Sequence, residues 1–247
     1  MHWRLLDCTL GDPYQNIALE EAIFRELKEP VLRVWENQKS VIIGRGQLAQ
    51  LESDLELCKK RGIPVVRRFT AGGAVFNGPG NINWSFFEPL SRGDKLGTFE
   101  AGKVFGRFAE KVVDALRSRS VGAHFDPPNR IMNDDGKISG MAAYISANAV
   151  VCHGTLLVNA DLEQADTLTR PSLAQTDRRY ARSSPARIAN CGIGKREFTD
   201  AMASVAAPGA VSDSLRKEEG ELTRTLLNGR YLKDAWNLGD PFDLDDL

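Results

Sequence analysis

The stretch from Arg67 to Phe86 constrains this chain most: two arginines, then Phe-Thr-Ala, the glycine pair Gly72-Gly73, and Ala74-Val75-Phe76 opening into a strand. Glycine lacks the Cβ that keeps a ligand away from peptide N–H groups. Consecutive amides in such a loop can therefore face phosphate or carboxylate oxygens while an arginine supplies a charged fork. Taken alone, the same residues equally suit a hairpin turn with a basic edge, because Gly and Asn are what tight turns require.

Bulk properties narrow the setting. A chain of 247 residues fits one large domain, or one domain with a small appendage, and it can bury a sizeable core. A formal net charge of -1 gives no pull toward nucleic acid or an anionic membrane. Cys8, Cys58, Cys152 and Cys191 are far apart and joined by only three histidines, so neither a zinc site nor a disulfide framework is indicated. Free thiols in a reducing cytoplasm are expected. The N-terminus has no apolar run long enough for a signal or spanning helix, which makes the Asn83-Trp84-Ser85 sequon idle.

Along the chain, Trp3 to Leu6 reads as a strand, and Asp12-Pro13 starts a helix with Asp as cap and Gln15 reaching back. Strands are expected at 31–34, 41–43, 65–66, 138–145 and 149–158, with helices near 54–60, 99–116, 197–205 and 215–227. The segment from Thr167 to Ser184 is rich in arginine and reads as mobile or ligand-ordered, or else as a solvated basic surface. Residues 240–247 read as a frayed acidic tail. Strands and helices interleave without regular alternation, so the fold class is α+β rather than a doubly wound parallel sheet. Residues 1–195 are expected to form the catalytic domain, and 196–247 a helical C-terminal part of the same domain.

Two patterns mislead. Residues 97–104 match a P-loop until Val104, which has no hydroxyl for Mg²⁺. Cys152 beside His153 looks like a nucleophilic pair, but neighbours on a strand point to opposite faces.

A second segment carries Lys137-Ile138-Ser139-Gly140 and, downstream, His153-Gly154-Thr155-Leu156-Leu157 leading to Asp161-Leu162. Together with Arg67-Arg68 and the Gly-rich Ala-Val-Phe strand, it resembles the lipoate-protein ligase A family of the biotin/lipoate A/B protein ligase superfamily. The likeness extends to 16–21, 40–45, 187–190 and 231–237. It implies a ligase-like α+β catalytic domain with mixed or antiparallel sheets and flanking helices. The activity implied uses ATP with Mg²⁺: lipoate, or octanoate, is activated as acyl-AMP and passed to a lysine of a lipoyl-carrier domain. Lys137 is then the catalytic cation. Arg68, Gly73, Ala74, Val75 and Phe76 are expected along the adenylate, with Gly72, Asn81 and His153 lining the acyl site. Two other readings stand beside it: an ATP-independent lipoyl or octanoyl transferase between carriers, and a non-catalytic lipoate-binding module.

The chain also departs from the family pattern. The common Gly-Gly-Gly reads Ala71-Gly72-Gly73, the usual His is Asn77, and Arg130 stands where an Asp usually does, so a metal contact could be replaced by a direct phosphate contact. Long relatives carry a C-terminal accessory domain, whereas ten residues follow Asn237. Either a separate small accessory subunit or the compact chain itself supplies that role.

Overall fold

Local rules act where they are strong. Asp12 caps the first helix, accepting from Gln15 N at 2.9 Å while the Gln15 side chain returns a bond to Asp12 Oδ2 at 2.8 Å. Asp54 caps a later helix through Leu57 N at 2.9 Å. The structure, a computed structural model, describes residues 2–90, 101–169 and 178–244.

The described chain begins with strand β1 (Arg4–Asp7), helix α1 (Pro13–Arg25) and strands β2 (Val31–Trp35) and β3 (Ser40–Ile43). Two short helices, α2 (Ala49–Glu52) and α3 (Leu55–Lys60), precede β4 (Val65–Arg67), β5 (Val75–Asn77) and β6 (Asn81–Pro89). Helix α4 (Ala101–Arg117) leads to β7 (His124–Asp126), β8 (Arg130–Asn133), β9 (Gly136–Ile145) and β10 (Ala149–Leu157). Then come α5 (Leu162–Leu168), α6 (Lys195–Ala201), the short strand β11 (Val211–Ser212), α7 (Lys217–Leu226) and α8 (Asp234–Leu238). The expected helix start at Phe99 and the first half of the P-loop look-alike, residues 97–100, lie outside the described residues.

One sheet runs β11-β1-β2-β6-β10-β9-β8-β7 and a small one runs β4-β3-β5. In the large sheet β1 lies parallel to β11 and β2, and the remaining neighbours are antiparallel. The fold is therefore α+β with a mixed sheet and flanking helices, as expected.

Period-two alternation builds the layers. Leu32 and Val34 of β2, Ile82, Trp84 and Phe86 of β6, and Cys152 and Leu156 of β10 form one apolar face, packed against Val104, Phe108 and Val112 of α4. The residues between them face the other way, and there the sheet is polar: Arg33, Asn83, Ser85, His153 and Thr155 are all buried. Toward the chain-reversal end of this face, Val31, Phe87 and Val151 meet Leu19, Ile23 and Phe24 of α1.

The C-terminal part locks onto the small sheet through Arg67. Its fully buried guanidinium donates to the carbonyls of Trp236 (2.7 Å), Arg45 (2.9 Å) and Gly239 (2.9 Å), and Trp236 Nε1 donates back to Arg67 O at 2.8 Å. The acidic end is less frayed than expected. Tyr180 donates to Asp240 at 2.7 Å, and Leu244 is buried among Trp236 and its neighbours. Residues 245–247 lie outside the described residues.

Candidate active site

A cavity of about 300 Å³ opens between the polar face of the large sheet and the Gly-rich loop. Cross-strand register sets its floor. One row across the sheet pairs Trp35 with Asn83, Asn83 with Thr155, Thr155 with Gly140 and Gly140 with Arg130. The next row pairs Arg33, Ser85, His153 and Ala142.

Lys137 reaches this floor because the strand slips. Register shifts between Ile131 and Met132, so that Met132 opposes Lys137 while Ile131 opposes Ser139. The extra residue reverses the alternation within β9. Ile138 and Met141, which simple alternation would put on opposite faces, both join the core, and Lys137 shares the cavity face with Gly140 and Ala142. The Lys137 side chain lies over Gly140: a Cβ there would stand 2.8 Å from Nζ. The strand bonds of Lys137 run to Arg187 O (2.8 Å) and from Ala189 N (3.0 Å), while its ammonium makes no hydrogen bond or ion pair among the described residues. Burial, and after it the charge of Arg130, pull its pKa below the ordinary lysine value.

Arg68 also reaches the cavity, but its fork is turned inward. It donates to Thr70 Oγ1 (3.0 Å), Ala71 O (2.8 Å) and Gly73 O (3.0 Å), clamping the loop from below. Burial lowers its pKa to about 10, which leaves it charged at neutral pH. Gly72 has φ +102, and a Cβ there would meet Arg68 Nη2 at 2.8 Å, so its space is used by that arginine. Of the two arginines that open the motif, Arg67 ties the fold and Arg68 shapes the loop.

From Arg68 a polar chain continues beneath the floor. Thr70 Oγ1 meets His153 Nε2 at 2.8 Å, and His153 Nδ1 meets Glu20 Oε2 at 3.0 Å. The Ser85 hydroxyl bonds Glu20 Oε1 and accepts from Trp35 Nε1 at 3.2 Å. The Glu20 carboxylate can only accept, so His153 Nδ1 carries a proton that faces it. Burial alone would raise the Glu20 carboxyl, but His153 and Arg33 outweigh it and hold the pKa below the ordinary value of 4.5.

Over the loop, Ser183 Oγ accepts from Ala74 N at 2.7 Å and from Gln47 Nε2 at 3.1 Å. Ser183 N and Arg182 Nε both donate to the buried Glu52 carboxylate, at 3.0 and 2.6 Å, and Ala181 N bonds Gly46 O at 2.9 Å. This part of the arginine-rich segment is packed rather than loose, a correction to the mobile reading; residues 170–177 lie outside the described residues.

Of the sequence candidates, Lys137, Arg68, Gly72, Gly73, Ala74, Val75 and His153 converge on the cavity. Two do not. The Phe76 side chain enters the core beside Val41 and Ile43, and Asn81 turns its amide to Phe76 O at 3.2 Å beneath the hairpin. Asn77, Asn83 and Thr155 line the cavity instead, with Glu20 at its edge. The signal for them was present: polar residues at every second position of strands whose other positions are apolar.

A family model described as the lipoyl protein ligase A/B catalytic domain matches residues 12–200. This chain belongs to that family. It is 28% identical to lipoate-protein ligase A subunit 1 of Thermoplasma acidophilum, over 94% of each chain. To lipoate-protein ligase 1 of Staphylococcus aureus it is 30% identical, covering 93% of this chain and 71% of that one. It spans only 55% of a Bacillus subtilis lipoate-protein ligase. Among solved structures, a Thermoplasma acidophilum lipoate ligase with bound lipoic acid superposes with a TM-score of 0.83 at 27% identity, covering 97% of this chain and 99% of that one. A lipoate-protein ligase A bound with ATP gives a TM-score of 0.83 at 27% identity, with coverage of 97% and 99%. Within this family fold, the bulge that turns Lys137 onto the floor and the clamp on the Gly-rich loop place a cation and a backbone loop around one cavity.

Proposed function

We propose that this chain is an ATP-dependent lipoate-protein ligase. The carrying observation is the Lys137 ammonium: without a partner among the described residues, partly desolvated, and held over Gly140 in a cavity that Ile17, Trp35, Ile42 and Val75 also line. An isolated cation in such a place is costly unless an anion meets it. Lipoate's carboxylate oxygen attacks the α-phosphorus of ATP, the bond to the β-phosphate oxygen breaks, and pyrophosphate leaves. Lys137 offsets the charge that gathers on the α-phosphate, with Arg130 beside it. In the second step the neutral ε-amine of a carrier lysine attacks the acyl carbonyl; the C–N bond forms, AMP departs with the C–O pair, and the amine proton passes to solvent.

The chain's other residues orient. Arg68 fixes the loop carbonyls so that loop amides keep one direction, and the His153–Glu20 pair fixes Thr70 beneath it. The thiols take no part: Cys152 is in the core and Cys191 half-buried, and burial raises both pKa values, so neither supplies a thiolate for an acyl-enzyme. This favours the ligase over the cysteine-dependent transferase.

Among the described residues no cluster of carboxylate, histidine or cysteine ligands could hold a metal. Asp126 pairs with Arg130 at 2.7 Å and Glu20 is taken by His153, so the side chains do not fit a resident Mg²⁺. Mg²⁺ enters this reading only with the phosphates of the nucleotide. The acceptor is a lipoyl-carrier domain, and an accessory subunit is a second partner; support comes from the Thermoplasma acidophilum ligase, described as bi-partite and studied with its E2 lipoyl domain. The four free cysteines suit a reducing cytoplasm. Incubation with ATP, Mg²⁺, lipoate and a lipoyl domain, read by intact mass, tests the assignment. A lipoyl adduct that depends on ATP is expected, and one formed equally well without ATP overturns it.

A further inference from the structure

The floor row that carries Lys137 over Gly140 runs on to the edge of the sheet: Trp35, Asn83, Thr155, Gly140, Arg130 and, on β7, Asp126. Exposure rises along it. Trp35 is 2% exposed, Asn83 5% and Thr155 8%, whereas the Arg130 side chain is 33% exposed. The row is therefore shielded at β2 and meets water at β8. Charge is ordered the same way. The Glu20 carboxylate lies on the shielded side, against Ser85 and His153, and the cations Lys137 and Arg130 lie on the open side.

This order fixes the direction of the first step. In phosphoryl transfer the attacking and leaving oxygens lie roughly in line across the phosphorus. With the α-phosphate at Lys137, the acyl group and the pyrophosphate must then lie on opposite sides of it. An alkyl chain gains from burial, whereas a polyanion loses by it and must return to water, so the acyl group takes the shielded half and the pyrophosphate the half toward Arg130. The reverse placement would set pyrophosphate against Glu20. Arg130 is one strand from Gly140, about 5 Å at the usual spacing. Its Nη2 stands 2.7 Å from Asp126 Oδ2, its cross-strand partner, and no other residue among those described pairs with the fork.

We infer that Arg130 is a catalytic residue of the first step, taking the charge that develops on the leaving pyrophosphate, with Asp126 as its positioning residue. The inference rests on the ligase reading above and deepens it. When the bond from the α-phosphorus to the bridging oxygen breaks, the electron pair stays on that oxygen, and the guanidinium offsets it. Lys137 faces the α-phosphate throughout; Arg130 acts only while pyrophosphate is present. Once pyrophosphate leaves, the fork returns to Asp126, so this carboxylate also limits how tightly the product is held.

The test separates the two steps in the full chain. In Arg130→Gln, pyrophosphate release from ATP and lipoate with Mg²⁺ should fall about 10²-fold in kcat. Transfer from preformed lipoyl-AMP to a lipoyl domain should stay near the wild-type rate. Added inorganic pyrophosphate should inhibit this variant about tenfold more weakly, with inhibition by AMP unchanged. Arg130→Lys, which keeps the charge without the fork, should regain part of the first step. Asp126→Asn leaves Arg130 in place and should make pyrophosphate the stronger inhibitor. Equal losses in both half-reactions, or pyrophosphate inhibition unchanged in the Arg130 and Asp126 variants, overturns the inference. Failure of wild type to release pyrophosphate from ATP and lipoate overturns the ligase reading instead.

Discussion

Gly140→Ala should separate the seat of Lys137 from the stability of the sheet. A Cβ at position 140 would lie 2.8 Å from Lys137 Nζ and 2.9 Å from its Cε, and apart from its chain neighbours no other residue among those described comes within 4 Å. Comfortable contact begins near ~3.5 Å, so the ammonium must retreat by roughly 0.7 Å or swing off the floor. Its stem is flexible, and Gly140 is not in the left-handed region, so the strand accepts alanine. Gly→Ala at a compatible site stabilises by about 0.4–1 kcal/mol through the unfolded chain. Misplacing a catalytic group by ~1 Å costs on the order of 10²-fold in rate. The expected result is a melting temperature unchanged or raised, with pyrophosphate release lowered about 10²-fold. Gly154→Ala is the contrast: its Cβ would strike the Trp84 ring at 2.4 Å and Gly140 O at 2.8 Å on the core side, so that variant should lose ~3 kcal/mol of stability or more. Near wild-type adenylation by a folded Gly140→Ala protein would refute the placement of Lys137.

Further outcomes follow from the same geometry. Lys137→Met should abolish adenylation while raising the melting temperature, because it removes a partly buried charge that has no partner among the described residues; a stability loss in calorimetry would show a hidden partner. The lowered Lys137 pKa means that the free enzyme loses this charge at lower pH than an ordinary lysine would: kcat/KM should fall on the alkaline side with an inflection below 10.5, and Lys137→Arg, which cannot deprotonate, should lack that limb even if its rate is poor. Glu20, with its folded pKa depressed, contributes stability that is present above its ordinary value and lost as pH falls through the lower folded value, so acid melts of Glu20→Gln and wild type should converge at low pH. Arg67→Met should cost ~3–5 kcal/mol in denaturant unfolding, since it strips donors from several buried carbonyls. Cys152→Ala and Cys191→Ser should each retain ligase activity, and an acyl adduct on either wild-type thiol would move the assignment to the transferase.

What the sequence settled by itself was local or periodic. The capping pair Asp12 and Gln15 and the apolar half of each central strand were legible because short-range chemistry fixes them. So was the opposition of Cys152 and His153, which strand alternation alone sends to core and cavity. The motif residues around Lys137 and Gly72-Gly73 were legible as a group through the family resemblance, which also implied their roles. Tertiary structure decided which of them meet at one cavity. Whether Arg67 or Arg68 faces the cavity depends on carbonyls 169 to 172 residues away, at Trp236 and Gly239. Lys137 shares a face with Gly140 only because of a bulge set by pairing with β8, a register no single strand encodes. The segment 180–184 looked loose by composition yet is docked by Glu52 and Gly46, partners distant in sequence. Asn81 and Asn83 are the sharpest case: equivalent in type and two apart on one strand, they were separated by what each meets across the sheet and beneath the hairpin, Thr155 and an open cavity for one, Phe76 O for the other.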